Sequence, residues 1–136
     1  MRHRLASVFS LVLLVVATGC TKPIQPTVVY PGLPFTITTG RAVEITGSLT
    51  VTFNRVISDS RCPTDVVCIS AGDAVVSLTL ADSASRVERE LHTAGALTQT
   101  KFSSYTIRLV DLTPYPRSTR MFDPLGYTAT LQIVSP

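Results

Sequence analysis

The chain has 136 residues, room for one domain and little more. Charged residues make up only 15% of it, tryptophan is absent, and the formal charge of +3 is carried partly by Arg2 and Arg4 at the extreme N-terminus. Without those two arginines, ten Lys/Arg stand against nine Asp/Glu, a net of +1 with no basic run. That balance argues against a nucleic-acid partner.

The N-terminus reads as an export signal. Arg2, His3 and Arg4 form a positive start, and Leu5 to Ala17 is apolar except for Ser7 and Ser10. Thirteen such residues are too few for a transmembrane helix, which needs about 20. The segment ends in Ala17-Thr18-Gly19-Cys20, which resembles the lipobox of bacterial lipoproteins, with Ala17 where Leu is usual. Ordinary signal cleavage would also accept Ala17 and Gly19. Three cysteines in an exported chain leave one over, and lipidating Cys20 removes the odd thiol. The expected organisation is therefore a lipoprotein signal peptide at 1–19, a lipidated cysteine and proline-rich tether at 20–34, and a domain at 35–136. The lipid implies a membrane partner and an address in the cell envelope. Thr21 after the cysteine favours the outer membrane, facing the periplasm, if the host is Gram-negative.

Thr21 to Pro34 contains Pro23, Pro26, Pro31 and Pro34 and one charge, Lys22. Such a stretch favours extended polyproline II and spans on the order of 40 Å at about 3.1 Å per residue. Val28, Val29 and Tyr30 are strand formers that can join the domain as a first edge strand.

From Pro34 onward the hydrophobic period is two. Phe35 and Ile37 alternate with threonines, as do Val43 and Ile45 with Glu44 and Thr46. Leu49, Val51 and Phe53 share one face of the next run, and the pattern returns at Val76-Leu78-Leu80, Tyr105-Ile107-Leu109 and Tyr127-Ala129-Leu131-Ile133. No stretch of helical length carries apolar residues at i, i+3, i+4 and i+7. These observations predict an all-β fold of about seven strands, a small antiparallel sandwich (immunoglobulin-like) or a barrel. Ser85 to His92 carries charge on both faces and reads as a protected edge strand. Thr93 to Ser104 reads as a polar connection, and Thr113 to Asp123 as a long loop.

One segment stands apart. Asp59-Ser60-Arg61-Cys62-Pro63 follows a strand, and Cys68-Ile69-Ser70-Ala71-Gly72 leads into the next. Two cysteines six apart in an oxidising compartment predict a Cys62–Cys68 disulfide. This run, with the later Tyr-x-Ile-x-Leu and Tyr-x-Ala-x-Leu strands, resembles a family of small bacterial lipoproteins without an assigned activity. The resemblance covers roughly residues 49–134 and implies an address and a fold, but no reaction. Members of that family commonly carry Trp where this chain has Ser70.

Candidate chemistry is thin. A metal site would have to draw on Cys62, Cys68, His92, Met121 and a few carboxylates. The Cys-x5-Cys spacing does not match zinc, although thiolates there suit copper(I). A hydrolase would have to enlist Ser70, His92 and Asp73 without a nucleophile elbow or a helix to support one. Glu88 and Glu90 lie in the charged edge strand rather than in a cleft. The expectation is a non-enzyme with no cofactor, no metal and no small-molecule substrate. It is an accessory or protein-binding module that meets another envelope protein; copper handling through the cysteine loop and an inhibitor presenting that loop are the alternatives. Arg61 and Asp65 are the candidate partner-binding residues. A purely architectural role for Arg61, paired with a turn-capping Asp59, would explain the same residues.

Overall fold

The computed structural model describes residues 27–46 and 49–135. The leader, the Cys20 attachment point and the start of the tether lie outside the described residues.

Among the described residues every regular element is a strand: β1 (Val28–Val29), β2 (Phe35–Thr38), β3 (Ala42–Ile45), β4 (Leu49–Asp59), β5 (Ala74–Ala81), β6 (Arg86–His92), β7 (Gln99–Phe102), β8 (Tyr105–Thr113) and β9 (Thr128–Val134). They form two sheets, ordered β1-β3-β4-β5-β6 and β2-β9-β8-β7. All pairings are antiparallel except β1 with β3. The result is a sandwich, not a closed barrel. Among the described residues nine strands replace the expected seven or so, for two reasons. Val28 and Val29 of the expected tether pair with Glu44 and Ile45, and the expected polar connection contains β7, paired with β8.

The alternating runs fold this way because only one face of each sheet can be dried. Val51, Phe53, Leu78 and Leu80 of the first sheet are buried against Ile107, Leu109, Leu131 and Ile133 of the second. β6 closes the first sheet as its edge, with Leu91 buried and Arg86, Glu88, Arg89 and Glu90 exposed. In β4 the register shifts between Phe53 and Arg55 and again between Val56 and Ser58. An extra residue at each bulge re-aims the chain, so Val56 points inward three residues after Phe53.

The sandwich has two ends. β4 and β8 run toward one of them. There the β4–β5 connection (60–73) meets the β8–β9 connection (114–127), and Thr64 N–H donates to the Pro116 carbonyl at 3.0 Å. β1 and β3 run away from that end, toward the Asp82–Ser85 turn and Gly32.

Candidate functional site

The β4–β5 connection is a hairpin extension capped by a covalent clasp. Ser60 N–H donates to the Asp73 carbonyl at 2.7 Å and Cys62 N–H to the Ala71 carbonyl at 2.8 Å, which prolongs the ladder beyond the strands. Cys62 and Cys68 form the disulfide, with Cα atoms 5.9 Å apart. Gly72 makes the close crossing possible. Its φ is +69°, and a Cβ there would sit 1.8 Å from the Ser60 carbonyl oxygen.

Arg61 fastens this extension to the opposite sheet. Its side chain is 8% exposed and that of Asp59 is 2% exposed. Nε donates to Asp59 Oδ1 at 2.9 Å and Nη2 to Oδ2 at 2.7 Å, the two-bond fork that a guanidinium and a carboxylate make together. Nη2 also donates to the Pro114 carbonyl at 3.0 Å and Nη1 to the Leu112 carbonyl at 2.5 Å. The Tyr115 ring covers the guanidinium, 4.6 Å from its carbon. Tyr127 Oη completes the cluster by donating to Asp59 Oδ2 at 3.0 Å.

Burial alone would push the Asp59 carboxyl up; the hydrogen bonds and charge of Arg61, helped by Tyr127, outweigh it and hold Asp59 below its ordinary value. Burial opposes the Arg61 charge as well, and Asp59 overcomes it, leaving the guanidinium above its usual value. The Tyr127 hydroxyl, desolvated and bonded to a carboxylate, is pushed up to about 12. The structure thus places Arg61 in the interior as a brace between the sheets, with Asp59 as its partner. Asp65 lies outside and is also engaged: it accepts from Ser118 N–H at 2.9 Å and from Ser118 Oγ at 2.6 Å. This pins the closed loop to the β8–β9 connection.

The apolar side chains of the loop point outward. Val67 and Ile69 are fully exposed and Val66 is half exposed. Beside them the β8–β9 connection exposes Met121, Leu125 and part of Phe122. Single exposed aliphatics are ordinary, but here they gather on the two connections that close one end of the domain. Cysteine spacing locates the loop and points to Arg61 and Asp65 as its candidate contacts. Val66, Val67 and Ile69 do not stand out in the sequence, because their strand-forming character hides their exposure.

The remaining candidates are placed as follows. Asp73 Oδ2 is 2.5 Å from His92 Nδ1, and Oδ1 accepts from Thr93 Oγ1 and Ala94 N–H at 3.0 Å each. Burial raises the Asp73 carboxyl less than these bonds lower it. Ser70 turns away and accepts from Gly72 N–H at 3.4 Å; among the described residues no serine hydroxyl hydrogen-bonds the His92 ring. The Asp73–His92 pair instead ties the start of β5 to the end of β6. Cys62 and Cys68 are bonded to each other, and among the described residues no group of three or more His, Cys, Asp or Glu side chains converges. Glu88 lies on the outer sheet face, accepting from Ser77 Oγ within a ladder that includes Asn54 and Thr79. Among the described residues no helix is long and apolar enough to cross a membrane.

No family model matches the chain, and no curated protein or solved structure matches it either.

Proposed function

We propose that the chain is a lipid-anchored, non-catalytic module of the cell envelope that binds through its disulfide-closed end. The observation that carries this reading is the placement of Val67 and Ile69, fully exposed on a loop held by a disulfide, by Asp65–Ser118 and by the buried Arg61. A loop ordered in advance loses little entropy on docking, so its exposed apolar area converts efficiently into affinity. Anchoring is supported by cysteine arithmetic: the Cys62–Cys68 bond takes two of three cysteines and leaves Cys20, at the lipobox-like Ala17-Thr18-Gly19-Cys20, as the one outside it.

Two measurements test the halves separately. Cys20→Ser in the full chain is expected to abolish lipid modification and release the protein from the membrane fraction. A variant that still matures and still fractionates with membranes refutes the anchor. A photo-crosslinking side chain at position 67 is expected to form adducts with an envelope component in living cells, while the same group at exposed Arg86 does not. Equal, background-level crosslinking at both positions refutes binding through the loop.

A further inference from the structure

We infer that the disulfide-closed end docks on an anionic bilayer surface, the same membrane that holds the anchor, with Val67, Ile69 and Met121 entering the lipid interface. The inference rests on the anchored reading above and names the partner of that site.

The first argument is the reach of the anchor. β1 runs parallel to β3, so the backbone reaches Val28 from the disulfide-closed side. In register, Thr27 lies level with Val43 and Val51. From Val51 the chain advances to Asp59 and then through the paired residues Ser60 and Cys62, about 36 Å at roughly 3.3 Å per residue. Cys20 to Thr27 is seven residues, which span at most about 25 Å fully extended. An anchored domain is therefore held close to the bilayer. When its disulfide-closed end points down, it has to lean toward the β1 side, by roughly 45° on these lengths.

The second argument is what that lean presents. On the β1 side, β3 stops short and the β8–β9 connection takes its place along β4: Val56 N–H donates to the Pro124 carbonyl, and Thr39 Oγ1 to the Leu125 carbonyl. This is the connection that exposes Met121, Phe122 and Leu125, next to Val66, Val67 and Ile69 of the clasped loop. Exposed Arg117 and Arg120 lie on it, and exposed Arg41 and Arg55 flank it. The exposed acids nearby are Asp65 and Asp123, each already accepting a hydrogen bond within this end of the fold, with exposed Glu44 farther along β3. Convex apolar tips rimmed by arginines suit a headgroup layer, where aliphatics reach the acyl boundary and guanidinium groups meet phosphates. At the opposite end the exposed large apolar residues, among the described ones, are Val28, Tyr30, Leu33 and Val134.

The chain contains no tryptophan, so a single introduced one reports its own surroundings. The test uses the full chain, processed in a bacterial host, purified in detergent and reconstituted into phosphatidylglycerol–phosphatidylethanolamine vesicles. Its acyl modification is read by mass spectrometry. Ile69→Trp, Val67→Trp and Met121→Trp are expected to shift to the blue and lose most of their emission to lipids brominated in the upper acyl chain. Leu33→Trp, at the far end, is expected to keep its emission. Quenching at position 69 should fall severalfold in phosphatidylcholine vesicles, and also in Arg117→Ala/Arg120→Ala, at roughly fivefold in affinity per arginine. An acylated protein whose tryptophans at 67, 69 and 121 all stay as bright as that at 33 overturns the inference and leaves the anchor standing. Such a protein that also photo-crosslinks through position 67 to another protein assigns the surface to that protein instead. A chain without acyl mass overturns the anchored reading itself.

Discussion

Replacing Arg61 with methionine keeps the length of the side chain and deletes its charge and donors. The Asp59 carboxylate, 2% exposed, then keeps only the Tyr127 hydroxyl and the backbone N–H at position 61. The carbonyls of Leu112 and Pro114 lose their donors as well. Removing one member of a buried ion pair costs about 3–5 kcal/mol, whereas an exposed pair is worth about 0–1 kcal/mol. Because this pair is nearly sealed from water, the larger figure applies. Against a total of about 5–15 kcal/mol, that is a large share of the stability of a domain this size. With a urea slope of about 1–3 kcal/mol per molar, the unfolding midpoint should drop by more than about 1 M. Asp59 without its cation is expected to titrate above its ordinary value, so the deficit should shrink as the pH is lowered toward 4. Asp59→Asn/Arg61→Met should recover part of the loss, because neither charge is then stranded. A single variant that loses less than about 1 kcal/mol, with no dependence on pH, would refute the brace. Because Arg61 belongs to this buried brace, replacing it would confound binding with folding, whereas substitutions at exposed Val67 and Ile69 would not.

Gly72→Ala should lower the melting temperature by several degrees, since its Cβ meets the Ser60 carbonyl and its φ is left-handed; an unchanged melt would deny the close crossing. Cys62→Ser/Cys68→Ser should cost about 2 kcal/mol by the loop-entropy relation, read from chemical denaturation. In the parent protein, alkylation without reductant should label neither cysteine. Tyr127 has a folded pKa raised from 10.0 to about 12, so its contribution is fully present below pH 10 and is lost as the pH climbs toward 12. Tyr127→Phe should flatten that alkaline decline. Asp59 works at the other end: its folded value is lowered, so its contribution holds above the unfolded value of 3.8 and fades as the pH falls below it.

The sandwich was legible wherever one face of a strand is dry. Leu49-Val51-Phe53, Val76-Leu78-Leu80 and Ala129-Leu131-Ile133 alternate because their neighbours face water or a polar sheet surface. The charged β6 was legible as an edge for the complementary reason. β7 was not: Gln99, Thr100 and Lys101 leave only Phe102 buried, so a short edge strand looks like a loop. The inward turn of Val56 was hidden because a bulge breaks the period that sequence reading relies on. At the site, cysteine spacing located the loop and the Asp59–Arg61 pair. The burial of Arg61 was out of reach, since the carbonyls it binds belong to residues 51 and 53 positions away. The exposure of Val67 and Ile69 was equally hidden, because whether a β-branched residue faces inward depends on what the rest of the fold places over it.

The short first strand bears on mechanics. β1 is held by two residue pairs, Val28 with Glu44 and Val29 with Ile45, and it is the terminal strand of its sheet. If the chain is anchored as proposed, a pull on its N-terminal side acts along β1 and loads it in shear against β3. Two pairs yield far sooner than the sheet behind them, whose β3–β4 and β4–β5 ladders would stay intact. Peeling would run as far as Gly32, whose N–H is bonded to the Ile133 carbonyl at 2.7 Å, and would release Thr27 to Pro31. Five residues add about 17 Å of extended chain. In a chain anchored as proposed, the stand-off of the domain would then lengthen under load in a single step that withdraws Val29 from the edge of the core and leaves the rest of the core packed.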